Sequence, residues 1–297
     1  MNYVLYHSGK LPNHINDCIS NIKNIDKKSN IYLCSDNPSH FNGVISVTSK
    51  EVISSQTKEL IKKEIYKGTN YESNPLWQAS LIRIFILRDF VGKFELNDII
   101  HFDNDVLVYV EGDNLKNLFS SNQTNITRTK TNVLVFGYSY FKNFQILDNL
   151  CNEIYQTILQ EIKKDKWKKD PKNEMRLLGE VYKNKTHLFN ILDSYPKKNS
   201  EYIFDPAGYG QIIGGSHYRP RRLFPKRFYR VGSNDNRKRY LPRGGWLDNS
   251  YEITDKFLFD RSKIKFKKNR PILINKSGEF KIVNLHIHSK ELKKYKV

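Results

Sequence analysis

Apolar positions along this chain follow two rhythms. Short, largely apolar runs at residues 3–6, 31–34, 44–47, 99–102 and 106–110 have the length and content of strands covered on both faces. Between the first two, Ile15, Cys18, Ile19 and Ile22 recur at helical spacing behind Pro12. Residues 55–66 read as a second, amphipathic helix. The stretch from Leu76 to Val91 is apolar almost all round, which predicts a helix buried in the interior. Arg83 and Arg88 stand out within it, because a charge inside a protein must be paired. Either one reaches a phosphate or carboxylate at the nearby strand end, or they form salt bridges, to Asp89 or Asp98.

Further along, residues 114–121 read as a short helix, 122–132 as a polar loop and 133–136 as a strand. A stripe of Phe144, Leu147, Leu150, Ile154, Ile158 and Ile162 predicts a helix over 141–162, and residues 174–182 a further one. Residues 264–266 and 271–274 read as a hairpin closed by 275–278, followed by a strand that holds residues 282–290. A β-α-β-β start followed by alternating helices and strands predicts an α/β, Rossmann-like mixed sheet flanked by helices. No GxGxxG is present, so a dinucleotide cofactor is not indicated.

The chemistry gathers at the end of the 99–102 run, where Phe102 leads into Asp103-Asn104-Asp105. In open α/β sheets, ligands sit beyond the carboxyl ends of the strands. Two carboxylates one residue apart suit a hard divalent cation that can bridge to phosphates. His286 and His288 fall at i and i+2 on a strand and share a face, so both are candidate further ligands. Asp36 follows a strand end and could accept from a base or ribose, or simply form a turn before Pro38. His7, at the end of the first strand, and Asn104 join the candidate ligand-contacting set. Residues 204–215 contain four glycines among apolar neighbours, which permits close backbone approach to a ligand; Asp205 and Gln211 are its polar members.

Composition adjusts this picture in two ways. The net charge is +19, which favours anionic partners, although abundant Lys, Asn and Ile also fit composition drift. Residues 217–243 concentrate ten Lys/Arg against one acid, interleaved with aromatics. Such a stretch could clamp an acidic acceptor or a diphosphate, bind single-stranded nucleic acid, or be an exposed surface loop. No zinc-finger, RNP or basic-zipper pattern supports nucleic acid. Cys18, Cys34 and Cys151 form no CxxC pair and read as small residues in a reducing compartment. With neither a leader pattern nor a bilayer-length apolar run, the expectation is a soluble, cytoplasmic protein with any membrane contact peripheral.

Taken together, the Asp-x-Asp strand, the Arg-bearing buried helix before it and the terminal His-x-His-Ser-Lys run resemble nucleotide-sugar glycosyltransferases of the GT-A fold. The resemblance spans residues 3–290. It is strongest to a group of bacterial and large-virus glycosyltransferases with an Asp-Pro-Ala-x-Tyr-Gly-Gln-x-x-Gly-Gly segment, here Asp205 to Gly215, and an Asn-Leu-His-x-His-Ser-Lys ending, here Asn284 to Lys290. The chain is more distantly similar to the retaining, glycogenin-like transferases. What the resemblance implies is one GT-A domain over 1–297, with residues 1–110 binding a nucleoside-diphosphate sugar, UDP-linked first among the candidates. Residues 111–297 would bind a glycan or lipid-linked acceptor and include a basic C-terminal region; no nucleic acid is expected. It further implies that Asp103, Asp105 and His286 or His288 hold Mn²⁺ or Mg²⁺, Lys290 meets the diphosphate and Arg83 the donor; of the two histidines we favour His286, which leaves Lys290 free to turn toward the diphosphate. The Asp-Gln-x-x-x-Asn pattern of the glycogenin-like group is absent after the sheet, with Gln211 a substitute. Retention and inversion thus both stay open, and Asp205 is the candidate base for inversion. A polyanion-binding module and a metal-dependent nucleotidyltransferase are the alternatives.

Overall fold

The computed structural model describes residues 1–197, 200–214 and 264–297, with the backbone of two short strands at 238–240 and 246–248. Strand β1 (Asn2–His7) leads through helix α1 (Ile15–Ile25) to β2 (Asn30–Ser35) and then β3 (Ile45–Thr48), all parallel. Helices α2 (Ser49–Val52), α3 (Ser55–Lys62) and α4 (Pro75–Lys93) return the chain to β4 (Ile99–Phe102), parallel to β1 on its other side. Next come β5 (Val106–Val108), β6 (Thr124–Lys130), β7 (Val133–Phe141), α5 (Phe144–Lys163) and α6 (Glu174–Asn184). They are followed by β8 (Phe189–Ile191), β9 (Tyr202–Ile203) and α7 (Tyr209–Gly214). The strands β10 (Lys238–Tyr240) and β11 (Trp246–Asp248) pair with each other, and β12 (Ile264–Lys267), β13 (Arg270–Asn275), β14 (Gly278–Ile282) and β15 (Asn284–His286) close the chain.

The main sheet has seven strands in the order β3-β2-β1-β4-β7-β6-β8. Its first four strands are parallel, and β7 joins antiparallel to both β4 and β6. The chain runs outward from β1 to β3 and then crosses back to lay β4 beside β1. That reversal is a topological switch point, with a crevice outside the carboxyl ends of β1 and β4. The expected mixed α/β sheet flanked by helices is therefore present.

Strand alternation divides the interior in two. Tyr3 and Leu5 of β1 face one core, with Cys18, Ile19 and Ile22 of α1, Phe102, β5 and β15. Val4 and Tyr6 face the other, with Leu81, Ile84, Phe85 and Val91 of α4 and Leu147, Leu150 and Ile154 of α5. Burying each such side chain contributes roughly 1.5–3 kcal/mol. Helix α4 starts at Pro75, capped by the Asn74 side chain, and is buried through most of its length, as its pattern predicts. All three cysteines are buried and free. Among the described residues no helix is long and apolar enough to cross a membrane.

Several local readings change. Residues 124–130 form a strand rather than part of a loop. Their Thr side chains are buried in β6, where Thr129 Oγ1 donates to the Val133 carbonyl at 3.3 Å. β-Branched Thr fits a pleated surface even when it is polar. Strand β7 runs on to Phe141, so α5 begins at Phe144 behind its Asn143 cap. The turn at 275–278 joins β13 to β14, not the hairpin expected. β12 and β13 are instead joined through Lys268 and Asn269, both in the left-handed region. The basic stretch 217–243 lies outside the described residues, except for the backbone of β10.

Candidate metal centre

Apolar β4 ends at Phe102, and the chain turns at once through residues 103–105 into β5. The Asp103 N–H donates to the Gly137 carbonyl at 3.2 Å and the Val106 N–H to the Asp103 carbonyl at 2.9 Å. The turn thus opens at the switch-point crevice. β15 pairs antiparallel with β5, placing His286 opposite Val106. The Ile287 N–H then donates to the Asp105 carbonyl at 2.8 Å. This ribbon returns the C-terminal histidine to the acidic turn, 181 residues later by numbering.

His286 Nε2 lies 3.0 Å from Asp105 Oδ1 and 3.7 Å from Asp103 Oδ2. One ligand atom each from Asp103, Asp105 and His286 can be chosen so that all lie within 4.8 Å of one another. His288 stands beside this group rather than in it. Its ring centroid is 4.2 Å from that of His286, and its Nε2 is 3.2 Å from Gln211 Nε2. β15 ends at His286, so the expected face-sharing of a continuous strand holds only up to that residue.

Among the described residues, two cations meet the carboxylates. Arg83 Nη1 is paired with Asp103 Oδ1, and Lys290 Nζ with Asp105 Oδ2. Asp105 is only 4% exposed. Burial pushes its carboxyl up, but the His286 imidazole and the Lys290 ammonium outweigh burial and hold it well below the usual carboxylate range. Arg83 also donates from Nη2 to both oxygens of Glu174 at 3.2 Å and lies over the Phe136 ring at 5.5 Å. Arg88 instead pairs with Asp89 at 2.6 Å, while Asp98 accepts from Tyr140 and Lys142. Of the alternatives for the two arginines, Arg83 thus reaches the strand-end carboxylate and Arg88 forms the structural pair.

A divalent ion suits these residues. The donors are two carboxylates and an imidazole, a set that accommodates Mn²⁺. Gly137 also keeps space beside them, since a Cβ there would come within 2.9 Å of Asp103 Oδ2 and 3.4 Å of the His286 ring.

Around the cluster, Asn104 Nδ2 donates to the Tyr6 carbonyl at 3.1 Å and lies 3.0 Å from His7 Nδ1. His7 Nε2 in turn lies 2.9 Å from the Lys10 carbonyl, so these contacts suit an Nε2-protonated tautomer. Among the described residues, Asn104 Oδ1 is buried without a partner. Asp36 accepts from Ser8 Oγ and the Gly9 N–H, both at 2.8 Å, and from Ser49 Oγ at 2.6 Å, tying the loops after β1 and β2 to the start of α2.

Behind the cluster, Asp205 takes four backbone N–H groups. Oδ1 accepts from Gly208 at 2.5 Å and Tyr209 at 2.8 Å; Oδ2 accepts from Gly210 at 2.8 Å and His286 at 2.9 Å. A carboxylate offers about four lone-pair sites, so its acceptor capacity is filled by the fold. Gln211 donates to the Ala207 carbonyl at 2.6 Å. Gly210 packs directly on the ligand strand, where an added Cβ would sit 2.1 Å from the His286 carbonyl oxygen.

Sequence reading missed Glu174. It stands at the start of α6 and is buried, which pushes its carboxyl above the usual range against the pull of Arg83. Its helix was legible, but its partner lies 91 positions away. His14, at the N-cap of α1, is close enough to Lys290 and Asp105 to feel their charges. Burial lowers its pKa, and the nearby Lys290 lowers it further.

No protein-family profile matches the chain, and no curated protein matches it in sequence. Solved structures do resemble it. Mouse xyloside xylosyltransferase 1, in its apo form, is 11% identical with a TM-score of 0.45, the match covering 65% of this chain and 86% of that one. The glycosyltransferase GlyE of Streptococcus pneumoniae TIGR4 is 15% identical with a TM-score of 0.42, over 65% of this chain and 46% of its own. The galactosyltransferase LgtC, in complex with donor and acceptor sugar analogues, is 11% identical with a TM-score of 0.42, over 65% and 74%.

Proposed function

We propose that this chain is a GT-A glycosyltransferase that moves a sugar from a nucleoside diphosphate, UDP first among the candidates, to a hydroxyl of a glycan or lipid-linked acceptor, with Mn²⁺ or Mg²⁺ bound. The observation that carries this reading is the meeting of Asp103, Asp105 and His286, with Arg83 and Lys290 against them, at the crevice between β1 and β4. The motifs quoted from the sequence support the same reading.

In this reading Asp103, Asp105 and His286 hold the ion. Such an ion, when bound, would supply positive charge against a departing diphosphate. Lys290 adds a second cation for that diphosphate. Arg83, braced by Glu174, keeps Asp103 in place and faces the donor. Asn104 Oδ1, which has no partner among the described residues, accepts a hydrogen bond from the nucleoside, beside His7 and Asp36 at neighbouring strand ends. Asp205 acts through His286 as a positioning residue, because its lone pairs are occupied. Gln211 supports His288, which flanks the ligand imidazole. Residues 1–110 supply most of the donor side, but β15 brings His286 and Lys290 back to it from the C-terminal half.

The test is a screen of nucleotide sugars for hydrolysis and transfer with Mn²⁺, with and without chelator. One donor should be consumed in a chelator-sensitive way, and Asp103→Asn or Asp105→Asn should reduce that rate at least about a hundredfold. Full activity of either variant with Mn²⁺ present rejects the assignment.

A further inference from the structure

The two cations on the acidic pair are held very differently. Arg83 is braced from behind by both oxygens of buried Glu174 and by the Phe136 ring. It cannot swing away without stranding a buried carboxylate. Lys290 is paired with Asp105 at the end of a flexible stem that is 44% exposed. Its backbone is held in the left-handed region, with φ of 63°, and its N–H donates to the Ile287 carbonyl at 2.9 Å. That turn aims the stem back over the carboxylate that a divalent ion would use.

We propose that Lys290 is a movable counter-ion that occupies Asp105 until a diphosphate draws it away, so that a divalent ion alone binds weakly and ion and diphosphate bind cooperatively. This inference rests on the metal and diphosphate reading above. An ion entering alone must displace the ammonium and then sit beside it, and two cations at one carboxylate repel. A diphosphate removes both costs, because it offers Lys290 a new anionic partner and screens it from the ion. Coupling of this kind is reciprocal, so the ion must tighten diphosphate binding by the same factor.

The experiment titrates Mn²⁺ into the full chain and follows loss of the free aqua-ion's six-line EPR spectrum, first alone and then with UDP, GDP or ADP in turn. Wild type should bind Mn²⁺ weakly alone and on the order of tenfold more tightly with the nucleoside diphosphate it accepts. Lys290→Met should bind Mn²⁺ alone on the order of tenfold more tightly than wild type and lose most of the gain from the nucleotide. Lys293→Met removes an exposed charge nearby and should shift affinity less than about twofold, because exposed charges are screened. Mn²⁺ binding by Lys290→Met that is equal to or weaker than wild type overturns the counter-ion role. If wild type still shows metal-dependent nucleotide binding in that case, the functional reading survives without it. If neither protein binds Mn²⁺ under any condition, both fall.

Discussion

Asp205 and His286, 81 positions apart, are joined by a hydrogen bond from the His286 backbone N–H to Asp205 Oδ2 at 2.9 Å. The same carboxylate gathers the N–H groups of Gly208, Tyr209 and Gly210 at the start of α7. One buried side chain therefore sets the helix against the strand that carries the histidine ligand.

Replacing Asp205 by Asn tests this role. An amide accepts at only one of its two terminal atoms, so two N–H donors lose their partner and face an NH₂ group. We expect a stability loss of about 2–4 kcal/mol, seen as a lower Tm, together with weaker Mn²⁺ binding. A variant with unchanged Tm and Mn²⁺ affinity but greatly reduced kcat would instead mark Asp205 as a base.

Gly210 and Gly179 make a matched pair. A Cβ on Gly210 would meet the His286 carbonyl at 2.1 Å, and one on Gly179 the Asn132 carbonyl at 1.9 Å. Backbone must move in both cases, so each Gly→Ala change should cost about 3 kcal/mol by denaturant titration. Only Gly210→Ala should also weaken Mn²⁺ and nucleoside diphosphate binding, measured by calorimetry in mild conditions. Equal binding losses in the two variants would show that general loosening, rather than the seat of His286, is responsible.

The two arginines of α4 should separate in the same way. Arg88→Met removes the partner of Asp89, and Arg83→Met removes the partner of Asp103 and Glu174. Stranding a buried carboxylate costs roughly 3–5 kcal/mol, so both variants should melt earlier. Arg83→Met should in addition lose donor binding, whereas Arg88→Met should keep its nucleoside diphosphate affinity.

Asp36 supplies a pH signature. Burial raises its carboxyl, but the Ser49, Gly9 and Ser8 hydrogen bonds outweigh burial, and the net direction is downward. Its folded pKa therefore lies below the unfolded value of about 3.9. A depressed folded pKa makes the stabilising contribution complete above the unfolded pKa and removes it as pH falls through the folded one. Asp36→Asn should be less stable than wild type at pH 7, and the gap should close below about pH 4. Urea titrations across that range provide the check; a gap that stays constant into acid contradicts the assignment.

By itself, the sequence determined the features that depend on near neighbours. Short apolar runs marked β1, β2 and β4, an all-round apolar stretch marked α4, and the abrupt change at Phe102-Asp103 marked the strand end where carboxylates emerge. Arg83 was legible as an oddity because a charge in an apolar helix demands a partner wherever that partner lies. Only the tertiary structure decided what depends on distant chain segments. The strand state of 124–130 came from pairing with β7 and β8, which local polarity hides. The entry of His286 rather than His288 into the acidic cluster came from the register of β15 on β5. Glu174 gained its place because α6 and α4 pack together, bringing it to Arg83 across 91 positions. Periodicity records which face of an element is buried, but not which distant element covers it, and the chemistry of this crevice is assembled from such distant pairs.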